Sequence, residues 1–201
     1  MTAIFGLGGC GLLCVALIAV AFQLQAFAIR VRCAVVFLVA VAVFIPFGDL
    51  SAAGFVRGVT GDLSVPTLAL AVSACVSRIA GRTLFPPREW RALFGAVAVA
   101  ALFLYPFALG FTPFDPYALG YGSVVYVTVL LLATLGAWRA GLNLPVLVVV
   151  IAAAAYLAGA YESRNLWDYL VDPLAALYAL CRWGSAAFRR RAEGIFQRRN
   201  S

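Results

Sequence analysis

Seven side chains in this sequence carry the chemistry to grip a small polar molecule: Arg57, Asp62, Asp115, Tyr121, Arg164, Asp168 and Asp172. They fall in three short polar gaps. Residues 48–62 read GDLSAAGFVRGVTGD, which sets one arginine between two aspartates in a glycine-rich segment. Residues 112–122 read TPFDPYALGYG and place Asp115 among prolines and aromatics. The third gap runs from Glu162 through Arg164, Asn165 and Asp168 to Asp172. On a continuous helix Asn165, Asp168 and Asp172 share one face, being three and then four residues apart. A guanidinium at Arg57 or Arg164 can hold a phosphate or carboxylate group bidentately. The expected ligand site is a pocket lined by the seven residues, with Tyr117, Tyr121 and Trp167 as walls. The competing reading is that these charges cap helices, pair with one another and sit in wet headgroups.

The absent residues narrow the chemistry. The chain has no histidine. That removes histidine-based acid–base catalysis, histidine haem ligation and the Ser-His and Cys-His nucleophile pairs. Five cysteines, Cys10, Cys14, Cys33, Cys75 and Cys181, lie in or at the ends of apolar stretches. Cys10 and Cys14 are one turn apart, but metal binding would need further ligands, so all five read as small apolar fillers without a disulfide framework. The run from Gly6 to Gly11 lacks the Lys-Ser/Thr ending of a phosphate loop and reads as close helix packing. No catalytic residue, metal or cofactor is expected.

The elements that must position the polar gaps are apolar. Of 201 residues, 65% are hydrophobic and 11% charged, with a mean hydropathy of +1.01. A soluble domain carries about 25% charged residues. Seven apolar stretches can be drawn: 3–29, 33–47, 63–80, 92–111, 123–138, 144–161 and 166–183. They predict an all-α, polytopic transmembrane helix bundle of six or seven crossings, because lipid cannot satisfy exposed backbone hydrogen bonds. Ser64 with Pro66, and Asn143 with Pro145, look like N-caps followed by first-turn prolines. Gly48, Gly110 and Gly141 stand where C-caps belong. Pro106 lies inside the fourth stretch and is expected to kink it. The last stretch is interrupted by Asp172-Pro173, a cap-like pair that would make residues 165–171 a separate half-helix. An interfacial helix there is the alternative to a crossing.

Charge orients the bundle. All 15 cations are arginines. The gaps at 30–32, 81–91, 139–143 and the C-terminal tail, with Arg78 and Arg182, hold 13 arginines and only Glu89 and Glu193, a net of +11. The alternate gaps hold Arg57 and Arg164 against six acids, a net of −4. The positive-inside rule puts the tail and the arginine-rich gaps in the cytoplasm and the N-terminus outside. Arg32 is expected to snorkel from a short second crossing. Neither a removable signal peptide nor lipidation at Cys10 is expected. Residues 1–187 read as one transmembrane domain and 188–201 as a basic cytoplasmic tail, whose Phe188, Ile195 and Phe196 suit an anionic leaflet. The positive charge sits at helix ends, so no nucleic-acid partner is expected. Membrane lipids and membrane-protein subunits are the expected partners. An arginine-only inventory suits a GC-rich bacterial genome, hence a bacterial inner membrane.

The function expected is a small, non-enzymatic binding or transport-type component with an outward-facing polar pocket for a small solute or lipid headgroup. An accessory or assembly subunit is the alternative, and a membrane enzyme using paired carboxylates on a lipid-linked substrate ranks last. Size and apolarity alone are similar to the small substrate-binding subunits of vitamin transporters, an analogy that supplies no residues.

Overall fold

A computed structural model of the chain describes residues 2–108 and 114–185. Gly110, residues 112–113 of the second polar gap and the basic tail lie outside the described residues. The fold is all-α. In chain order the helices are α1 (Thr2–Ala21), α2 (Ile29–Ala42), α3 (Ala52–Thr60), α4 (Val65–Ala80), α5 (Pro87–Ala108), α6 (Val124–Arg139), α7 (Asn143–Leu157), α8 (Leu166–Leu170) and α9 over 173–185. A two-stranded hairpin, β1 (Pro46–Phe47) and β2 (Leu50–Ser51), separates α2 from α3.

By length and composition, two described helices suffice to cross a membrane: α1 and the Pro87–Phe107 part of α5. Helices α4, α6 and α7 are apolar but shorter. Large apolar side chains cover much of the outside, among them Phe37, Val124, Leu132, Leu157 and Leu177.

Packing contacts fix the directions of the helices. Helices α1 and α4 run side by side in the same sense. The Cys10 thiol meets the Gly61 carbonyl just before α4, and Arg78 at the far end of α4 bonds Gln25 just after α1. Between them Val15, Ala16, Ala71 and Cys75 are buried together. Helix α9 runs back along α5. The Tyr178 ring meets Phe94 at 4.7 Å, and Trp183 approaches Gly95. Ala175, Ala176 and Ala179 are buried in the same apolar core as Leu93, Val97, Ala98 and Ala101. Small residues at these positions let two helix backbones come close.

Several sequence expectations change in detail. The first apolar stretch breaks at Phe22–Ala28, so residues 30–32 belong to the first turn of α2 and are not a loop. Arg32 is held by backbone carbonyls. Its guanidinium donates to the carbonyls of Phe27 (2.6 Å), Gln25 (2.7 Å) and Ile79 (3.1 Å), which lock the α1–α2 turn onto α4. Gly48, with φ +70°, sits in the hairpin turn and caps no helix. Gly141, with φ +66°, follows α6 as expected. Ser64 is the N-cap of α4, whereas α7 begins one residue earlier than expected, at Asn143. Glu89, only 6% exposed, accepts the Leu144 N–H at 2.5 Å and so satisfies an otherwise orphaned donor of α7. Arg88 adds a bond to the Ala140 carbonyl at 2.8 Å.

The Asn165–Asp168–Asp172 helical face does not exist as drawn. Helix α8 ends at Leu170, Val171 is extended, and Asp172 accepts the Ala175 N–H at 2.6 Å as the cap of α9. The half-helix reading of Asp172-Pro173 is the one the chain adopts. The polar 48–62 gap, expected as a loop, holds a hairpin and the nine-residue α3. Ser51 caps α3 by accepting the Gly54 N–H at 3.1 Å.

Candidate functional site

The start of α1, the α3–α4 junction, the end of α5, the turn at 117–120 and the α7–α8–α9 connections converge at one end of the molecule. Gly6 shows how tightly they meet. An added Cβ there would collide with the Asp62 carboxylate and the Arg57 guanidinium. Arg57 Nε donates to Asp62 at 2.8 Å, and its Nη2 reaches Glu162 at 3.2 Å. Those two carboxylates raise the arginine pKa further, led by the Asp62 hydrogen bond. The guanidinium expected to hold an anion is therefore already held by two acids.

Below this ion pair lies a half-open cavity of about 420 Å³. Asp62, Asp168 and Asp172 line it, together with Tyr105, Tyr117, Tyr161 and Ser163. Thr60, Gly61 and Pro173 also line it, and Leu104 and Val171 supply apolar wall. Asp172 is 4% exposed and carries three bonds. The Ser64 N–H donates to it at 2.7 Å, the Thr67 hydroxyl at 2.9 Å and the Ala175 N–H at 2.6 Å. One carboxylate thus caps the starts of both α4 and α9, where helix dipoles favour negative charge. Asp168 accepts the Tyr117 hydroxyl at 2.9 Å and a short bond from the Ser163 hydroxyl.

The tyrosines are set by buried polar contacts. Tyr161 donates to the Leu63 carbonyl at 2.6 Å and stacks on Tyr169 with ring centroids 4.6 Å apart. Burial first, and then Asp62, push its hydroxyl pKa up to about 12. Tyr117 is pushed up more strongly, by burial and then by its hydrogen bond to Asp168. Burial also raises Tyr169. These hydroxyls are proton donors throughout the neutral range, since ordinary tyrosine titrates near about 10.

Asn165, fully buried, ties the 114–122 segment to α8. Its Nδ2 donates to the Tyr117 carbonyl at 2.8 Å, and its Oδ1 accepts the Trp167 N–H at 2.9 Å. Trp167 Nε1 donates to the Pro116 carbonyl at 3.0 Å. Gly120 packs on Asn165 so closely that any side chain there would overlap it.

Of the seven residues read from sequence, Asp62, Asp168 and Asp172 share the cavity, and Arg57 adjoins it through Asp62. The other three do not line it. Asp115 is exposed and accepts the Tyr117 N–H at 2.9 Å in a local turn. Tyr121 is exposed, with its ring edge-on to Tyr117 at 5.8 Å. Arg164 lines a neighbouring depression of about 460 Å³ with Thr2, Glu162 and Tyr156. Tyr161 and Ser163 form the wall that the two hollows share. Among the expected aromatic walls, Tyr117 lines the cavity. Trp167 is buried behind it against Tyr126, with ring centroids 4.5 Å apart.

Sequence reasoning missed Tyr105, Tyr161 and Ser163. The first two lie within apolar stretches and read as membrane aromatics. Pro173 following Asp172 is the one local signal that the chain turns here. Among the described residues no group of three or more histidine, cysteine or acidic side chains could hold a metal ion, and the five thiols are free. No protein-family model, curated protein or solved structure matches the chain.

Proposed function

We propose that this protein is a multi-pass membrane protein that binds a small solute or lipid headgroup in the acidic cavity, as a binding or transport-type component. The observation that carries this reading is the cavity itself. Its volume of about 420 Å³ falls within the ordinary range for small-molecule sites, about 300–1,000 Å³, and polar groups from five chain segments converge on it. Ionisable groups at the edge of an apolar bundle are costly and tend to mark a site or a water-filled cavity.

Seven helices, α1, α2, α4, α5, α6, α7 and α9, alternate in direction under this reading. The 15- and 16-residue helices α4, α6 and α7 rise only about 23–24 Å, so they match a thin or locally thinned hydrocarbon layer. The arginine contrast supports an outward acidic end and a cytoplasmic C-terminus, and the arginine-only inventory supports a bacterial inner membrane. Thr2 lines a depression with Glu162 and Arg164, so the start of α1 lies at the acidic end, as an external N-terminus requires.

The test is purification of the full chain in mild detergent, followed by mass spectrometry of retained small molecules. Wild type is compared with Thr60→Phe, which puts an aromatic ring at a residue lining the cavity. A molecule retained by wild type and lost from Thr60→Phe is the expected result. Identical small-molecule content in the two proteins would refute the reading.

A further inference from the structure

We propose that the group recognised in the acidic cavity is a small organic cation, an alkylated ammonium. This rests on the cavity being a solute site and names the chemistry of its occupant.

The charge balance excludes an anion. Asp62, Asp168 and Asp172 line the cavity and, among the described residues, no arginine does. Arg57, which reaches Asp62, is divided between Asp62 and Glu162. Every hydrogen bond these carboxylates make among the described residues is one they accept: the Arg57 N–H for Asp62, two hydroxyls for Asp168, and two backbone N–H groups and a hydroxyl for Asp172. A phosphate or carboxylate entering here would meet three negative groups in a partly desolvated space.

The three acids do not form a metal site by themselves. The three acids face one cavity, yet among the described residues no set of three acids converges closely enough to hold a metal. A cation with its own bulk can touch carboxylates that are too far apart to coordinate one atom.

The walls select the same class. Tyr105, Tyr117 and Tyr161 present aromatic surface, and ring faces attract ammonium groups, most of all where water is excluded. Tyr105 lines the cavity, and among the described residues its hydroxyl has no hydrogen-bond partner. Leu104 and Val171 offer apolar contact that alkyl substituents can use and a hydrated inorganic ion cannot.

An ammonium of this kind comes free in solution or on a lipid headgroup, so the experiment has two arms. The full chain in detergent is titrated calorimetrically with choline chloride, sodium phosphate and glycerol at constant ionic strength. Choline is expected to bind once per chain, with phosphate and glycerol silent. Asp168→Asn and Tyr105→Leu should each weaken choline at least 10-fold, and Thr60→Phe should abolish it. Melting curves establish that each variant is folded, and Tyr105→Leu carries the test if Asp168→Asn does not fold. In the second arm the protein is placed in phosphatidylcholine or phosphatidylglycerol nanodiscs. A 10-fold weaker choline affinity in phosphatidylcholine discs identifies the lipid headgroup as the source, and equal affinity identifies the free amine. Either result supports the cation assignment. Binding of phosphate or glycerol that Thr60→Phe blocks, without choline binding, overturns the cation and leaves the solute cavity standing. Choline binding that survives Asp168→Asn and Tyr105→Leu, or no choline binding by folded wild type, overturns the cation as well. The retained-molecule comparison of wild type with Thr60→Phe then decides separately whether the cavity reading falls too.

Discussion

Two buried carboxylates sit at opposite ends of this bundle and do different things. Glu89, at the arginine-rich end, accepts one backbone N–H at the start of α7, and no cavity adjoins it among the hollows described above. Asp172, at the acidic end, bonds the starts of two helices and also faces an open cavity walled by tyrosines. Both satisfy the same physics, since helix N-termini present orphaned donors and partial positive charge. A buried acid is therefore no sign of function by itself. What separates the two ends is space: at one the carboxylate is consumed by the fold, and at the other two further acids and unspent hydroxyl and ring surface remain.

That contrast can be broken by substitution. The largest effect is expected from Asp172→Ala, which strips the acceptor from the Ser64 and Ala175 N–H groups and the Thr67 hydroxyl. At about 1–3 kcal/mol for each buried group left unsatisfied, a loss of about 3–5 kcal/mol is expected. Thermal melting in detergent should fall by about 10 °C or more. A shift as small as that of a surface variant would mean that Asp172 does not join α4 to α9. Glu89→Ala should cost less, about 1–3 kcal/mol, because one backbone donor is orphaned. Its melting temperature should drop while small-molecule retention stays at the wild-type level.

A third test uses alkali. The Tyr161 hydroxyl is raised to about 12, so the folded state favours the neutral form. Its stabilising contribution is complete below about pH 10, where unfolded tyrosine is also neutral, and is lost as pH rises through 12. The tyrosinate absorbance of wild type minus Tyr161→Phe should titrate near pH 12. A midpoint near 10 would place that hydroxyl in water. The smallest effect is expected for Glu162→Gln. Glu162 is 71% exposed, and exposed ion pairs contribute about 0–1 kcal/mol, so melting should change by no more than about 3 °C. A larger loss would show the Arg57–Glu162 contact to be a structural strut.

The sequence carried more of the scaffold than of the site. Apolar stretches and proline–cap pairs gave the helices well, because burial and capping are local. Arginine spacing separated Asp62, Asp168 and Asp172 from Glu89 before any fold was known. It failed wherever a distant segment supplied the partner. For Arg32 nothing local reveals the Ile79 carbonyl it reaches. For Arg57 the pairing alternative is the one that forms, with Asp62 five residues on and with Glu162, 105 residues away, which no local pattern reveals. Tyr105 and Tyr161 were invisible as site residues, since a tyrosine in an apolar run looks the same whether it faces lipid or a cavity.

The most direct test of the account is a paired measurement on Asp168→Asn and Glu89→Ala: choline affinity and melting temperature for each, beside wild type. The account predicts that Asp168→Asn, which keeps an acceptor oxygen, loses at least 10-fold in affinity with melting within about 3 °C of wild type, while Glu89→Ala, which orphans the Leu144 N–H, melts lower and binds as wild type does. Equal losses of affinity in the two variants, or an unchanged affinity in Asp168→Asn, would contradict it.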